Sequence, residues 1–273
     1  MQIPTDNAFT LHRDLQTGTL FPLGIRFWQA YGRAHLHLFP QTVSAVADIL
    51  ERHAAANLVL FCVHQSSQLD PVTKAELPIA ALARRAGVAF TPVGEATVVL
   101  PKGSLPPLLA TFGHYDLTLF DVDDDWQPAE IAEQTARYED VDWDKEPEWA
   151  PGLRSSRLFV ESHDDLYLGA EAPDQTLAQE LFARTLCYYA GSVFITERGA
   201  APDIVPPPPD LLAALWAGND ALTILSPATQ FNGAGLRIGV SRRVFDFRYP
   251  LGYAPELWLR YDLASGQWRL DLP

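Results

Sequence analysis

The pattern of hydrophobic positions predicts a chain in which strands and amphipathic helices follow one another. Residues 33–39 alternate between apolar residues and the histidines His35 and His37, as expected of a strand with one buried face. The residues after Gln41 repeat their apolar positions at helical spacing, which predicts a helix with one buried stripe. The continuous apolar run at 58–63 is typical of a central strand that is covered on both faces.

The C-terminal region has the clearest hairpin pattern. Apolar and polar residues alternate over 257–263 and again over 268–272. Between them, Ala264-Ser265-Gly266 predicts a three-residue loop with the glycine in the left-handed conformation. We therefore expect a β-rich C-terminus that ends in a β-hairpin.

Two segments of the chain resemble each other. Gln41 and Gln175 each stand at the start of a predicted helix, and an apolar run that predicts a strand follows about 17 residues later, at 58–63 and at 192–196. In both segments a proline-led short helix and another strand come next. In the second segment the short helix follows four prolines at 206–209. Both an internal duplication and a chance similarity of helix–strand patterns explain this order.

These elements predict an α+β fold of mixed α/β character. We expect two similar α/β halves, each with a mixed sheet, one long helix and one short helix. The N-terminal half covers residues 1–120, and the C-terminal half covers 153–273. An acidic linker at 121–152 joins them.

The linker region dominates the electrostatics of the chain. Residues 121–150 contain twelve of the 34 acidic residues and two basic ones, so this stretch accounts for −10 of the total net charge of −14. Trp126, Trp143 and Trp149 lie among its carboxylates. An indole stabilises a fold only when it is buried. We therefore predict a mainly solvent-facing segment whose tryptophans pack back on the folded halves.

Charge and composition exclude several classes of function. A net charge of −14 argues against binding of nucleic acid or anionic membranes, because both require basic residues that neutralise phosphate. No apolar run approaches the roughly 20 residues that span a bilayer, and the first residues lack the pattern of a signal peptide. Cys62 and Cys187 lie far apart in apolar surroundings, so we expect reduced thiols and a cytoplasmic location.

Two sets of residues are candidates for a metal site. His35 and His37 lie about 7 Å apart on one face of the predicted strand, a spacing found in metal sites. Asp121 and Asp123 begin an alternating acidic run that resembles a calcium loop, although the glycine and glutamate that such a loop needs are missing. The alternatives are polar residues on the wet face of a sheet and a solvated acidic linker.

Other motifs fail on closer inspection, and no cofactor is predicted. The glycines at 233–239 lack the spacing of a dinucleotide-binding loop. Serine, histidine and aspartate at 162–164 are adjacent, whereas a catalytic triad converges from distant segments. Neither cysteine has the neighbours that activate a thiolate. Whether the protein is an enzyme is therefore uncertain, and the absence of a recognisable catalytic motif favours a non-enzymatic function.

The remaining hypothesis is a binding protein. An exposed surface of carboxylates and aromatic residues suits a basic protein partner, and acidic immunity proteins have this character. An arginine cluster at 237–248 either binds an anionic ligand or receives the acidic stretch. The alternative is a metal- or phosphate-dependent α/β enzyme whose site is built from His35, His37, the Asp121 group and the arginines. The predicted binding residues are Trp126, Asp140, Asp142, Trp143, Asp144, Glu146, Arg242 and Arg243.

Overall fold

The chain divides into two units, one of which combines segments from both halves of the sequence. A computed structural model describes residues 24–30, 32–39, 41–61, 78–110, 117–139, 157–163, 167–243 and 254–271. The terminal unit combines Met1–Gln41 with Asp174–Pro273, and the central unit is Thr42–Pro173. These bounds differ from those of the predicted halves, because the two ends of the chain share one unit.

The described part of the terminal unit is an antiparallel sheet with two helices. Its strands lie in the order β12-β11-β10-β9-β1-β2, and all neighbours in this order run antiparallel. The elements are β1 (Gly24–Ala30), β2 (Arg33–Phe39), α5 (Gln175–Arg198), α6 (Pro209–Trp216), β9 (Ala221–Phe231), β10 (Gly235–Ser241), β11 (Leu257–Asp262) and β12 (Gln267–Asp271).

Aromatic side chains build the core of the terminal unit. Trp216 of α6 lies edge-on to Phe27 of β1, with ring centroids 5.1 Å apart, and to Phe182 of α5 at 4.7 Å. Leu36 and Leu38 of β2 are fully buried, as the alternation of that strand predicts. Burying such large apolar side chains is the main favourable term in holding the helices on the sheet.

The described part of the central unit is also an antiparallel sheet, with four short helices. Its strands lie in the order β8-β7-β6-β3-β5-β4, again with antiparallel neighbours. A 3₁₀ turn, Ser44–Val46, precedes the first helix. The elements are α1 (Ala47–His53), β3 (Asn57–Phe61), α2 (Ile79–Ala86), β4 (Thr91–Pro92), β5 (Thr97–Pro101), α3 (Leu105–Leu109), β6 (Leu117–Val122), α4 (Pro128–Glu139), β7 (Phe159–His163) and β8 (Tyr167–Ala172).

The predicted fold class is wrong. The structure is dominated by antiparallel β-sheet, and it is not built from two similar α/β halves with mixed sheets. The pairing of β1 with β9 joins the start of the chain to its second half. Hydrophobic periodicity shows which face of an element is buried, but it does not show which distant strand the element lies against.

The predicted strand at 192–196 is the main local error. These residues belong to α5, which continues to Arg198 and ends at Gly199 with a left-handed φ of 78°. A strand at 192–196 would require the helix to end at Gly191, yet this glycine lies inside α5, where an added Cβ would be 3.9 Å from Ala201 Cβ and from Ile204 Cδ1. The β-branched and aromatic residues after Gly191 favour a strand locally, whereas the burial of Val193 and Phe194 in the unit stabilises the helix.

The predicted acidic linker is also corrected in its first part. Residues 121–122 end β6, and 128–139 form α4, so this part of the stretch belongs to the central unit. Residues 140–152 lie outside the described residues. A net charge shows that a stretch prefers water, but it does not exclude a helix with one buried stripe.

Several local predictions are confirmed. The strand predicted at 33–39 is β2, and the predicted C-terminal hairpin is formed by β11 and β12. Its turn contains four residues rather than three, since Asp262 pairs with Gln267, and Gly266 has the expected left-handed φ of 66°. Short-range patterns of this kind depend on neighbouring residues alone.

Candidate functional site

Asp121 is the first residue of the acidic stretch, and its side chain is buried. It is 3% exposed at the end of β6. Its Oδ2 accepts a hydrogen bond from the backbone N–H of Ala55 at 2.8 Å, and its Oδ1 accepts one from Leu158 N–H at 2.9 Å. Burial raises the pKa of this carboxyl, while the hydrogen bonds from Leu158 and Ala55 oppose the rise. The carboxylate thus joins three segments of the central unit that are distant in sequence.

An exposed acidic surface follows directly after Asp121. We define it as Asp123, Asp124, Asp125, Glu130 and Glu133, which are all exposed. They occupy the turn before α4 and the outer face of that helix. A helix N-terminus favours nearby negative charge, because its N–H groups carry a partial positive charge. The start of α4 therefore offsets part of the repulsion among the carboxylates that lie near it.

Packing beneath this surface holds it in place. Ile131 of α4 is buried in a cluster with Phe61, Phe120 and other apolar residues, and Trp126 packs against the same cluster. Thr135, one turn after Ile131, is also buried and donates a hydrogen bond to the Ile131 carbonyl at 3.0 Å. The prediction that Trp126 packs back on the folded chain is confirmed.

One polar contact links the acidic turn to the sheet. Asn57 Nδ2 donates a hydrogen bond to Asp124 Oδ1 at 3.1 Å. Sequence reasoning missed Asn57, as well as Ala55 and Leu158, because two of these three contacts use backbone N–H groups that carry no side-chain signal. The other predicted binding residues of the stretch, Asp140, Asp142, Trp143, Asp144 and Glu146, lie outside the described residues.

The predicted arginines lie in the terminal unit. Arg242 and Arg243 are exposed after β10, and Arg243 Nε lies 3.8 Å from Glu256 Oε1. Arg237 differs, since its guanidinium stacks on Trp258 with 4.1 Å between Cζ and the ring centroid. Arg248 is outside the described residues. The structure therefore separates the cluster into two solvent-facing arginines and one arginine that packs on an aromatic ring.

The predicted metal ligands are engaged in other contacts. His35 is buried, stacks on Trp28 with centroids 5.0 Å apart, and lies 3.2 Å from the Ala30 carbonyl through Nε2. His37 Nδ1 lies 2.7 Å from Arg26 Nη2, and Asp121 accepts backbone hydrogen bonds as described above. Over the described ranges, no group of three or more His, Cys, Asp or Glu side chains is placed to hold a metal ion.

The other candidates for chemistry have structural explanations. Cys187 is a free thiol in the interior, where burial raises its pKa to about 12, so it is not an activated thiolate. Cys62 lies outside the described residues. Ser162 is fully buried in β7, which excludes an exposed nucleophile at that position. Gly235 lies in β10, where an added Cβ would overlap the Tyr261 carbonyl, so close strand packing explains this glycine.

No helix in the described part of the chain is long and apolar enough to cross a membrane. Comparisons of the chain with protein-family models, with curated protein sequences and with solved structures yield no match.

Proposed function

We propose that the protein is a non-enzymatic, immunity-like binding protein that acts in the cytoplasm on a basic protein partner. The observation that carries this proposal is the concentration of charge. Residues 121–150 hold a net charge of −10, while the rest of the chain holds the remaining −4. Such a field attracts a basic surface and repels nucleic acid.

The placement of the acidic surface supports this function. Its carboxylates extend from a turn and helix whose buried side, formed by Ile131 and Trp126, packs on the core of the central unit. A charged surface on a fixed scaffold loses little conformational freedom when a partner binds, and this favours affinity. The field also accelerates encounter over about 8 Å at physiological ionic strength.

Aromatic residues supply the second requirement of such an interface. Hot spots in protein interfaces are enriched in tryptophan and tyrosine, surrounded by polar residues that exclude water. We assign Trp143 to this role, together with the acidic ridge that we define as Asp140, Asp142 and Asp144. Trp126 has a different role in the proposal, because it anchors the scaffold.

Charge reversal tests the proposal directly. The full-length chain is immobilised and used at low salt to capture basic proteins from a lysate, and each captured protein is then identified, purified and titrated against the variants. We expect D140K/D142K/D144K to abolish capture, because it replaces the attractive field with a repulsive one. Circular dichroism and thermal unfolding should match those of the wild type.

A matched control separates a local surface from total charge. The variant E95K/E197K/D220K changes the net charge by the same amount, at three exposed carboxylates outside the acidic stretch. We expect it to keep most of the binding. If the control loses binding as completely as the ridge variant, only net charge matters, and the proposed interface is wrong.

A third variant tests the described surface. D123K/D125K/E130K alters exposed residues and leaves Asp124 with its hydrogen bond to Asn57. We expect weaker binding with a reduced salt dependence. Persistent capture by both acidic variants, together with stoichiometric zinc, manganese or iron found by elemental analysis of the purified protein, would favour the metal-dependent alternative.

A further inference from the structure

We propose that residues 204–209 of the terminal unit form a docking strap for a protein domain with an aromatic-lined groove that binds polyproline II helices. The strap, which we define as Ile204-Val205-Pro206-Pro207-Pro208-Pro209, forms the second half of the connection between α5 and α6 and ends with Pro209, the first residue of α6. This site is independent of the acidic surface and of the function proposed for it.

The sequence of the strap restricts its backbone to the polyproline II conformation. The proline ring holds φ near −65°, and the residue before a proline is excluded from the helical region. Both restrictions act here, because each residue from Val205 to Pro208 precedes a proline. Pro208 has φ −67° and ψ 151°, values close to those of an ideal polyproline II helix. Residues 205–208 of the strap are therefore restricted to this conformation before any partner binds, and Pro209 begins α6.

Exposure along the strap follows the three-residue period of this helix. Ile204 and Pro207 are buried, whereas Val205, Pro206, Pro208 and Pro209 are exposed. A polyproline II helix has three residues per turn, so one of its edges faces the terminal unit and the other two face outward. The outward side presents Val205 and Pro206 before the buried Pro207, and after it Pro208 and the exposed first residue of α6, Pro209.

This exposure of apolar side chains is unusual for the protein. Val205 is 54% exposed, and Ile195 at 40% is the only other exposed large hydrophobic side chain among the described residues. Contiguous exposed apolar surface of this kind is typical of an interaction site. Grooves that bind polyproline II helices insert such side chains between aromatic rings.

Contacts on the buried side hold the strap rigidly in place. Trp268 Nε1 donates a hydrogen bond to the Val205 carbonyl at 2.8 Å. An added Cβ at Gly191 would lie 3.9 Å from Ile204 Cδ1, so the strap packs closely on α5. The Pro208 carbonyl accepts hydrogen bonds from Leu211 N–H and Leu212 N–H, which continue the strap into α6. A ligand that is held in its bound conformation loses less entropy on binding.

The charged residues at the two ends of the strap restrict the charge that the rim of the partner's groove can carry. Asp203 and Asp210 are both exposed and flank the prolines. A groove with an acidic rim would be repelled by them, whereas a neutral or basic rim would be tolerated or attracted. The partner that fits is therefore a domain with an aromatic groove and a non-acidic rim.

Binding of isolated proline-recognition domains tests the inference. The full-length protein is titrated with purified SH3, WW and EVH1 domains, and each domain is paired with a variant in which one groove aromatic is replaced by alanine. We expect at least one intact domain to bind and its groove variant to bind at least about tenfold more weakly, because the aromatic ring supplies the contact. A decaproline peptide should compete with the protein.

Substitutions in the strap complete the test. V205S/P206S changes only exposed positions, so thermal unfolding should stay near that of the wild type while the affinity falls about tenfold or more, since an apolar dipeptide is lost from the interface. P128S, which alters an exposed proline at the start of α4, is the matched control and should bind like the wild type.

Three results would overturn the inference. The first is that none of the three domains binds the wild-type protein. The second is that V205S/P206S binds as tightly as the wild type. The third is a concentration-dependent dimer, measured by analytical ultracentrifugation, that V205S/P206S abolishes; the strap would then be covered by a second copy of this chain.

Discussion

The two units hold their irregular segments with different kinds of hydrogen bond. In the central unit, a buried carboxylate, Asp121, accepts two backbone N–H groups. In the terminal unit, the neutral indole of Trp268 donates to the Val205 carbonyl. Hydrogen bonds to a charged group contribute more than neutral ones, about 1.5–3 against 0.5–1.5 kcal/mol. The central unit therefore depends more strongly on one side chain.

A second carboxylate in the central unit follows the same principle. Glu51 of α1 accepts hydrogen bonds from Gly103 N–H at 3.1 Å and from Leu105 N–H at 2.7 Å. It therefore satisfies the start of α3, where Ser104 makes no side-chain capping bond. In the terminal unit, Asp174 instead caps its own helix by accepting from Thr176 N–H at 2.8 Å. In the central unit, Glu51 and Asp121 thus connect segments that are distant in sequence, whereas in the terminal unit Asp174 caps the helix that follows it.

Replacing Asp121 should have the largest effect. D121A leaves the buried N–H group of Leu158 and the half-buried N–H group of Ala55 without this acceptor, and we expect a loss of about 3 kcal/mol in the free energy of unfolding. Urea unfolding measures this loss, and hydrogen exchange should accelerate at the Ala55 and Leu158 amides. The control D123A changes an exposed carboxylate and should shift stability by less than about 0.5 kcal/mol. Equal stability of the two variants would show that the Asp121 contacts contribute nothing.

Alkaline pH should lower the stability of the terminal unit. Burial raises the pKa of the Cys187 thiol well above its ordinary value, to about 12. As the pH rises from 9 to 12, the unfolded chain loses this proton while the folded chain retains it, so stability falls. The loss reaches at most about 1.4 kcal/mol per pH unit.

The variant C187A measures this contribution. We expect its free energy of unfolding to fall less than that of the wild type between pH 8 and pH 10.5 in urea unfolding experiments. Y189F provides a parallel case, since burial also raises the pKa of Tyr189 to about 12. If wild type and C187A lose the same free energy over this range, the thiol is not buried as described.

Removing the indole donor should have a smaller effect than removing Asp121. W268F retains the aromatic packing on Tyr261, whose ring centroid lies 5.2 Å from that of Trp268, but it loses the hydrogen bond to Val205. We expect a loss of about 1 kcal/mol, measured by thermal unfolding. A loss as large as that of D121A would show that charge is not the difference between the units.

Acid pH should change the free energy of unfolding least, and this change should be specific to Asp121. Because burial raises the pKa of Asp121, the folded state binds its proton more tightly than the unfolded state. Stability from this group therefore rises as the pH falls from neutral through the folded pKa, and levels off below the unfolded value. We expect the difference in stability between wild type and D121N to grow over this range. A difference that shrinks would mean that the two backbone hydrogen bonds outweigh burial and lower the pKa.

The sequence predicted part of the site. The charge of residues 121–150 and the presence of Trp126 among carboxylates predicted an acidic surface with an aromatic anchor, and the structure places Trp126 on the core of the central unit. The burial of Asp121 was not predictable, because a carboxylate within an acidic run is normally solvated. It depends on the backbone N–H groups of Ala55 and Leu158, which only the folded chain brings together.

By itself, the sequence determined the features that depend on neighbouring residues. The alternation at 33–39, the turn at Gly266 and the polyproline conformation of the strap all follow from local sterics and short-range burial. Tertiary structure alone decided the pairing of β1 with β9, the continuation of α5 past Gly191 and the hydrogen bonds of Asp121. Each of these joins residues that lie far apart in the chain or depend on burial by such residues, and the free energy that stabilises them arises only when distant surfaces leave water together.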